Sequence, residues 1–124
     1  MDVEKWFKQS DEDFAVAKIL LVQQKYYMVA FLCHQALEKD LKGLYILTTR
    51  DDTLKIHSLV QLGKLVEIPK SLLSHLRDIS PQYTISRYPD MTEDAPFELY
   101  DESIAKAILE KTTEVKQWIQ KKRN

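Results

Sequence analysis

The chain has 124 residues, of which 44% are hydrophobic, 30% are charged and only two are glycine. This length fits one domain with one core, and so few glycines exclude all-β folds, which need many tight turns. The net charge of −1 excludes a global basic field that would attract nucleic acid or membranes, so any anion site must be a local cluster. We therefore expect a single domain over residues 1–124.

The compartment can also be predicted from composition. The single cysteine, Cys33, cannot form an internal disulfide and fits a reducing environment. The first residues are charged and lack the apolar stretch of a signal peptide, and no apolar run reaches the length of a membrane span. These features predict a cytoplasmic protein without membrane association. Because no glycine-rich phosphate loop and no zinc-type Cys/His spacing occur, we expect neither a cofactor nor a metal.

Two long amphipathic helices are predicted at the start of the chain. Apolar residues spaced by three and four, such as Phe7, Phe14 and Ala17, predict a helix over residues 3–24. The same spacing predicts a second helix over residues 26–49, which is apolar over most of its circumference and should lie near the centre. Since very few residues join the two helices, we expect them to pack antiparallel.

The remainder of the chain predicts shorter helices and one more long helix. The predicted elements are a loop over 50–56, a helix over about 58–66, a helix opened by Pro69 that restarts at Pro81, a loop over 87–100 and a last helix capped by Asp101. The fold class is therefore all-α, an up-and-down antiparallel helical bundle of four to five helices.

The second helix carries a polar stripe. Gln35, Lys39 and Lys42 share one side of it, with His34 and Glu38 on the flank. The two lysines can hold a phosphate as point charges, but a solvated face with an internal Glu38–Lys42 pair is the more common arrangement. His34 lies on the core-facing line, where burial favours its neutral form and a structural role is the default.

Two further segments carry residues suited to ligand binding. His57 precedes the third helix, where it can cap the helix, donate to a backbone carbonyl or face a ligand. Arg87 lies between a helix end and an irregular loop, beside Tyr88, and its planar guanidinium suits a carboxylate or a phosphate. The alternative for Arg87 is an ion pair with Asp90 or Glu93 that pins the loop.

Four separate blocks of this sequence resemble one known family. They are W-F-x-x-S-x-x-D-F-x-x-A-x-x-L-L from Trp6, Y-Y-x-V-A-F-L-C-H-Q-A-L-E-K-D-L-K-G-L-Y from Tyr26, K-I-H-S-L-V-x-L from Lys55 and Y-x-x-x-R-Y-P-D from Tyr83. In this order they resemble the HEPN domain family of prokaryotes and higher eukaryotes. The resemblance implies a helical bundle that is usually a homodimer. It also implies a nucleotide-binding role and, in prokaryotes, pairing with a minimal nucleotidyltransferase in toxin–antitoxin-like modules.

Some branches of that family are ribonucleases, in which an arginine is followed by a histidine after four to six residues. Arg50 and His57 have this spacing, but the pair straddles a predicted loop, and no histidine follows Arg87. The block that begins at Arg87 is similar to that of the branch proposed to bind nucleotides. The resemblance therefore favours an ATP-like nucleotide over RNA as the ligand.

Together, these residues form a candidate nucleotide-binding site, and no catalytic residue is assigned. Its members are Gln35, Lys39, Lys42, His57, Arg87 and Tyr88, with His34 and Glu38 beside them. Two alternatives stay open, namely an RNA-cleaving HEPN toxin and a dimeric structural domain without a ligand. Whether the chain is an enzyme, and whether the stripe on the second helix and the Arg87 loop converge, cannot be derived from residue spacing.

Overall fold

The computed structural model describes residues 2–124, and every regular element in that stretch is helical. In chain order the helices are α1 (Glu4–Val22), α2 (Tyr26–Thr49), α3 (Leu59–Leu65), α4 (Lys70–Ile79), the single turn α5 (Gln82–Ile85) and α6 (Glu102–Arg123). Two short 3-10 turns, Pro89–Met91 and Pro96–Leu99, lie between α5 and α6. The predicted all-helical fold is confirmed.

The first two helices form an antiparallel pair, as predicted. Their connection is only residues 23–25, and Gln24 adopts a left-handed conformation there, with φ of 63°. The pair is also tied by a hydrogen bond of 2.7 Å that the buried Ser10 hydroxyl donates to the Ala36 carbonyl. At Gly43 the helices approach so closely that an added Cβ would lie 2.9 Å from the Phe7 ring. The close approach explains why a glycine is accommodated in the middle of α2.

The directions of the other helices follow from their polar contacts. Cys33 lies beside Thr112, and Lys116 donates to Asp40 at 2.8 Å, so α6 runs parallel to α2. The ion pairs between α4 and α6 occur in reversed sequence order, so these two helices are antiparallel. Those pairs are His75 with Glu114 and Lys111 with Asp78. The four long elements therefore alternate up and down, as four-helix bundles do.

The core lies between α1, α2 and α6 and is closed by α3 and α4. Its largest side chains with almost no exposure are Phe7, Val29, Leu37, Leu41, Leu59, Leu62, Leu76, Ile79, Val115 and Ile119. Burial of such side chains supplies the main driving force for folding. The central position predicted for α2 is confirmed, because residues on most of its circumference are buried.

Two connections place polar residues beside α2. After α2 ends at a left-handed Arg50 (φ 62°), residues 51–58 have no regular structure until Ser58 caps α3 by accepting a hydrogen bond from the Gln61 backbone. His57 reaches α2 from this segment. On the other side, the chain leaves α4 through the single turn α5, and Arg87 follows that turn.

Candidate functional site

An open groove of about 560 Å³ lies beside α2. Its lining residues come from three segments and are His34, Gln35, Glu38, His57, Ser80, Tyr83 and Thr84. We call it the histidine groove. The fold thus joins Gln35 and His57, two of the predicted site residues, although they lie on different elements.

Glu38, Lys42 and His57 form a closed triangle at one end of the histidine groove. The Glu38 Oε2 atom is 2.9 Å from His57 Nδ1 and 3.1 Å from Lys42 Nζ, and Lys42 Nζ is 3.0 Å from the same His57 nitrogen. Burial alone would raise the pKa of Glu38, but hydrogen bonds and charge from His57 and Lys42 hold this pKa below its usual range. Glu38 is therefore ionised at neutral pH and neutralises Lys42.

Lys42 is consequently a buried structural cation. Its residue is only 9% exposed, and its ammonium also lies 5.7 Å from the centroid of the Trp6 ring. The Glu38–Lys42 pair that the spacing indicated is present. Lys39 lies away from the groove, because its ammonium donates to the Asp13 carboxylate of α1. Neither lysine projects a free ammonium into the histidine groove.

His34 lines the groove although it is almost completely buried. Its ring centroid lies 5.3 Å from that of Tyr83, and burial lowers its pKa despite the charge of Glu38. The expected buried, neutral state of His34 is therefore present. The Nδ1 atom is buried and makes no hydrogen bond within residues 2–124, whereas a purely structural histidine is expected to have its buried nitrogen paired.

A second open groove, of about 550 Å³, lies next to the first. Its lining residues are Gln24, Lys25, Tyr26, Tyr27, Ser86, Arg87, Pro96 and Phe97. We call it the arginine groove. It contains two cations, Lys25 and Arg87, and no carboxylate lines it. Residue spacing did not indicate Lys25, Tyr27 or Phe97, because they come from two distant segments, the start of α2 and the turn near residue 97, without a shared motif.

The Arg87 guanidinium is surrounded by aromatic rings. Its Cζ atom lies 5.0 Å from the centroid of Phe31, 5.1 Å from that of Tyr83 and 5.3 Å from that of Tyr88. Such cation–π contacts hold the guanidinium in place without neutralising its charge, so its N–H groups can still donate to an anion. Within the described chain no carboxylate is within ion-pair distance of Arg87. The alternative pairing with Asp90 or Glu93 is thus absent.

The two grooves share one wall, because Tyr83 lines the histidine groove and its ring contacts Arg87, which lines the arginine groove. The polar stripe on α2 and the Arg87 segment are therefore neighbours, and the Tyr83 ring lies between them. Tyr88 stands beside this wall with 40% of its surface exposed. Arg50 lines neither groove, so the spacing of Arg50 and His57 does not create a shared site in the histidine groove.

The architecture is that of an up-and-down helical bundle with two adjoining grooves beside its central helix. The chain belongs to the HEPN family, since the model of the HEPN domain matches residues 3–122. The chain is similar to an archaeal HEPN homologue of known crystal structure, with a TM-score of 0.83, 31% identity and coverage of 100% of this chain and 99% of that one.

A protein from Thermus thermophilus has the same fold, as its crystal structure shows. It aligns with a TM-score of 0.88 and 23% identity over 97% of each chain. No curated protein matches the sequence. Among the described helices, none is both long and apolar enough to cross a membrane. Within residues 2–124, no three His, Cys, Asp or Glu side chains are grouped as a metal site would require.

Proposed function

We propose that this HEPN protein binds a nucleotide through Arg87 and acts as the partner subunit of a minimal nucleotidyltransferase in a toxin–antitoxin-like module. The observation that carries this proposal is the state of Arg87, which is held between aromatic rings and has no carboxylate partner within residues 2–124. A guanidinium held by neighbouring aromatic rings is preorganised to bind a phosphate, and preorganisation lowers the entropic cost of binding.

The charge distribution supports the arginine groove as the phosphate site of this proposal. Lys25 and Arg87 line it together and no carboxylate opposes them, whereas Lys39 and Lys42 are already neutralised by Asp13 and Glu38. An added phosphate would have to displace those ion pairs. In this proposal Lys42 holds the histidine groove in shape, and Lys39 lies outside the ligand site.

The proposal is tested by calorimetric titration of the protein with ATP and with inorganic tripolyphosphate. The variant Arg87→Ala should lose about tenfold or more in affinity for both, because a charge-assisted bidentate contact contributes more than 1.4 kcal/mol. Arg77→Ala is the matched control, since Arg77 is an exposed arginine of α4 that lines neither groove. If ATP and tripolyphosphate do not bind the unmodified protein, or if both variants bind equally well, the proposal is wrong.

The same proposal includes a homodimer. Its support is a group of large apolar side chains exposed at the end of α1, where Val22 is 82% and Ile19 is 56% exposed. In many small symmetric helical bundles, exposed apolar surface of this kind is covered by a second copy of the chain. Sedimentation at micromolar concentration should give the mass of a dimer, and Val22→Asp should give a monomer. A monomeric unmodified protein would contradict this part.

The nucleotidyltransferase partner is tested by co-expression. A minimal nucleotidyltransferase encoded next to this chain should co-purify with it as a stable complex, and the complex should survive gel filtration. If the two proteins elute separately while the dimer and the nucleotide affinity are intact, the partner assignment fails and nucleotide binding stands.

RNA cleavage is a second candidate because of the Glu38–His57 contact. The His57 side chain is 74% exposed, and its Nδ1 atom lies 2.9 Å from the Glu38 carboxylate. A histidine oriented in this way can exchange a proton through Nε2. The test is incubation of RNA with excess purified protein and with His57→Ala. Intact RNA in both reactions would exclude this candidate.

A further inference from the structure

The two grooves differ in charge, although they share the Tyr83–Arg87 wall. No lysine or arginine lines the histidine groove, and the Glu38 carboxylate is the one acidic side chain of its lining. The arginine groove has two cations and no carboxylate. A polyphosphate is therefore attracted to the second groove, whereas the first groove, where Glu38 is paired with Lys42, offers it no free cation. The histidine groove suits an uncharged and polar part of a ligand.

We infer that the histidine groove binds the nucleobase, with Glu38 as the residue that determines base specificity, and that the preferred ligand is a guanine nucleotide. The inference rests on the proposed function, because the phosphates of the same ligand must lie on Arg87. The base and the phosphates would then lie on the two sides of the Tyr83 ring that separates the grooves.

The orientation of Glu38 supports a role in reading a base edge. Both of its ion-pair contacts, to His57 and to Lys42, are made by Oε2, and Oε1 accepts no hydrogen bond from the described residues. An ionised carboxylate only accepts hydrogen bonds. A carboxylate held at one oxygen by two partners keeps a fixed direction and therefore discriminates between base edges that differ in their N–H groups.

The chemistry of the bases then gives the order of preference. Guanine presents an N–H and an adjacent amino group on one edge, and either can donate to Oε1, the oxygen of Glu38 that has no partner among the described residues. Uracil presents a single N–H between two carbonyl oxygens, which the carboxylate repels. A buried N–H or carbonyl group that faces a base without a matching partner costs binding free energy. This cost is the strongest source of specificity in such sites. Guanine should therefore bind most tightly and uracil most weakly.

The remaining walls of the histidine groove suit a flat, polar ring. Tyr83 contributes an aromatic ring that packs against His34, with 5.3 Å between the ring centroids, and the Arg87 guanidinium carbon lies 5.1 Å from the centroid of the same ring. Gln35, Ser80 and Thr84 supply donors and acceptors around it. His34 stays neutral because burial lowers its pKa, so it adds no positive charge that would attract a phosphate. A base can stack on Tyr83 while its edge faces Glu38.

The competing position for the base is the arginine groove, where Phe97 is 64% exposed. A base stacked on Phe97 would be bound by its face and would show little preference between guanine and uracil, because stacking tolerates every base. The two positions therefore predict different effects of Glu38→Gln and Phe97→Ala.

The experiment compares the affinities of guanosine triphosphate, uridine triphosphate and tripolyphosphate for the unmodified protein, Glu38→Gln and Phe97→Ala. The unmodified protein should bind the guanine nucleotide about tenfold more tightly than the uracil nucleotide, as expected for one charge-assisted contact. Glu38→Gln should remove most of that preference, which is read as the ratio of the two nucleotide affinities because the variant also frees Lys42 from its carboxylate partner. Phe97→Ala should keep the preference.

A second measurement on the unmodified protein does not depend on the folding of a variant. Inosine triphosphate lacks the amino group of guanine, so it should bind several-fold more weakly than guanosine triphosphate. Equal affinities for the guanine, inosine and uracil nucleotides would overturn the inference, as would a preference that survives Glu38→Gln and disappears in Phe97→Ala. If tripolyphosphate binds through Arg87 without any base preference, only the inference fails. If tripolyphosphate does not bind, the proposed function fails as well.

Discussion

Replacing Lys116 by methionine should strongly destabilise this protein. Lys116 Nζ lies 2.9 Å from Ser10 Oγ, 2.9 Å from Asp11 Oδ1 and 2.8 Å from Asp40 Oδ2. The Asp11 side chain is 52% exposed, so that contact contributes at most about 1 kcal/mol. The Asp40 side chain is only 2% exposed, so removing Lys116 leaves a buried charge without a partner, which costs about 3–5 kcal/mol.

The loss of stability in Lys116→Met should depend on pH, and the environment of Asp40 gives the direction of that dependence. Burial raises the pKa of Asp40, and the charge and hydrogen bond of Lys116 oppose that rise. Because its pKa is higher in the folded than in the unfolded protein, Asp40 favours folding in acid, and this contribution is lost as the pH rises through the folded-state pKa. Without Lys116 that pKa rises further. The variant should therefore be less destabilised in mild acid than at neutral pH.

Urea denaturation and thermal melting measure both effects. At about 3–5 °C per kcal/mol for a chain of this length, Lys116→Met should lower the melting temperature by about 10–20 °C at neutral pH. The double variant with Asp40→Asn should recover about 2 kcal/mol, since no charge then remains buried. Asp11→Asn is the matched control and should cost less than about 1 kcal/mol. A loss below about 1 kcal/mol for Lys116→Met, or no recovery in the double variant, would refute this reasoning.

Three further results are expected. Gly43→Ala should destabilise the protein by about 1–2 kcal/mol in urea denaturation, because its Cβ would lie 2.9 Å from the Phe7 ring and the overpacking outweighs the gain in helix propensity; equal or higher stability would contradict it. Cys33 should react with a thiol reagent only after denaturation, because burial raises its pKa to about 11; rapid labelling of the folded protein would exclude this environment. Glu38→Gln should flatten the acid side of the stability–pH profile. The reason is that the lowered pKa of Glu38 contributes stability, and this stability is lost as the pH falls through the folded-state pKa. An unchanged profile would show that the triangle with His57 and Lys42 contributes nothing.

Much of the fold could be predicted because helical spacing is a local property. The apolar lines through Phe7, Phe14 and Leu37 repeat with the helical period, and burial of those lines fixes which faces meet. The tight connection between the first two helices fixed their antiparallel packing. The same local reasoning identified Glu38 and Lys42 as a pair four residues apart, and that ion pair is present at 3.1 Å.

The candidate site could be predicted only in part. Residue types and family resemblance singled out His57 and Arg87, but the contacts that give them their chemistry come from distant segments. His57 acquires its Glu38 contact because residues 51–58 pass beside α2, and Arg87 is fixed by Phe31, Tyr83 and Tyr88. Lys25 and Phe97 entered the site only through folding, since no spacing rule joins a helix start to a loop near residue 97.

The sequence by itself determined an all-helical bundle, the bounds of its first two helices to within two residues and the identity of its arginine and histidine candidates. Those properties depend on the order of side chains along a helix, which has a fixed period. The tertiary structure decided which charges are free. It neutralised Lys39 with Asp13 and Lys42 with Glu38, and it left Arg87 without an acidic partner in the described chain. Charge pairing across helices depends on distances between residues in the folded chain, and these distances cannot be read from the linear order of residues.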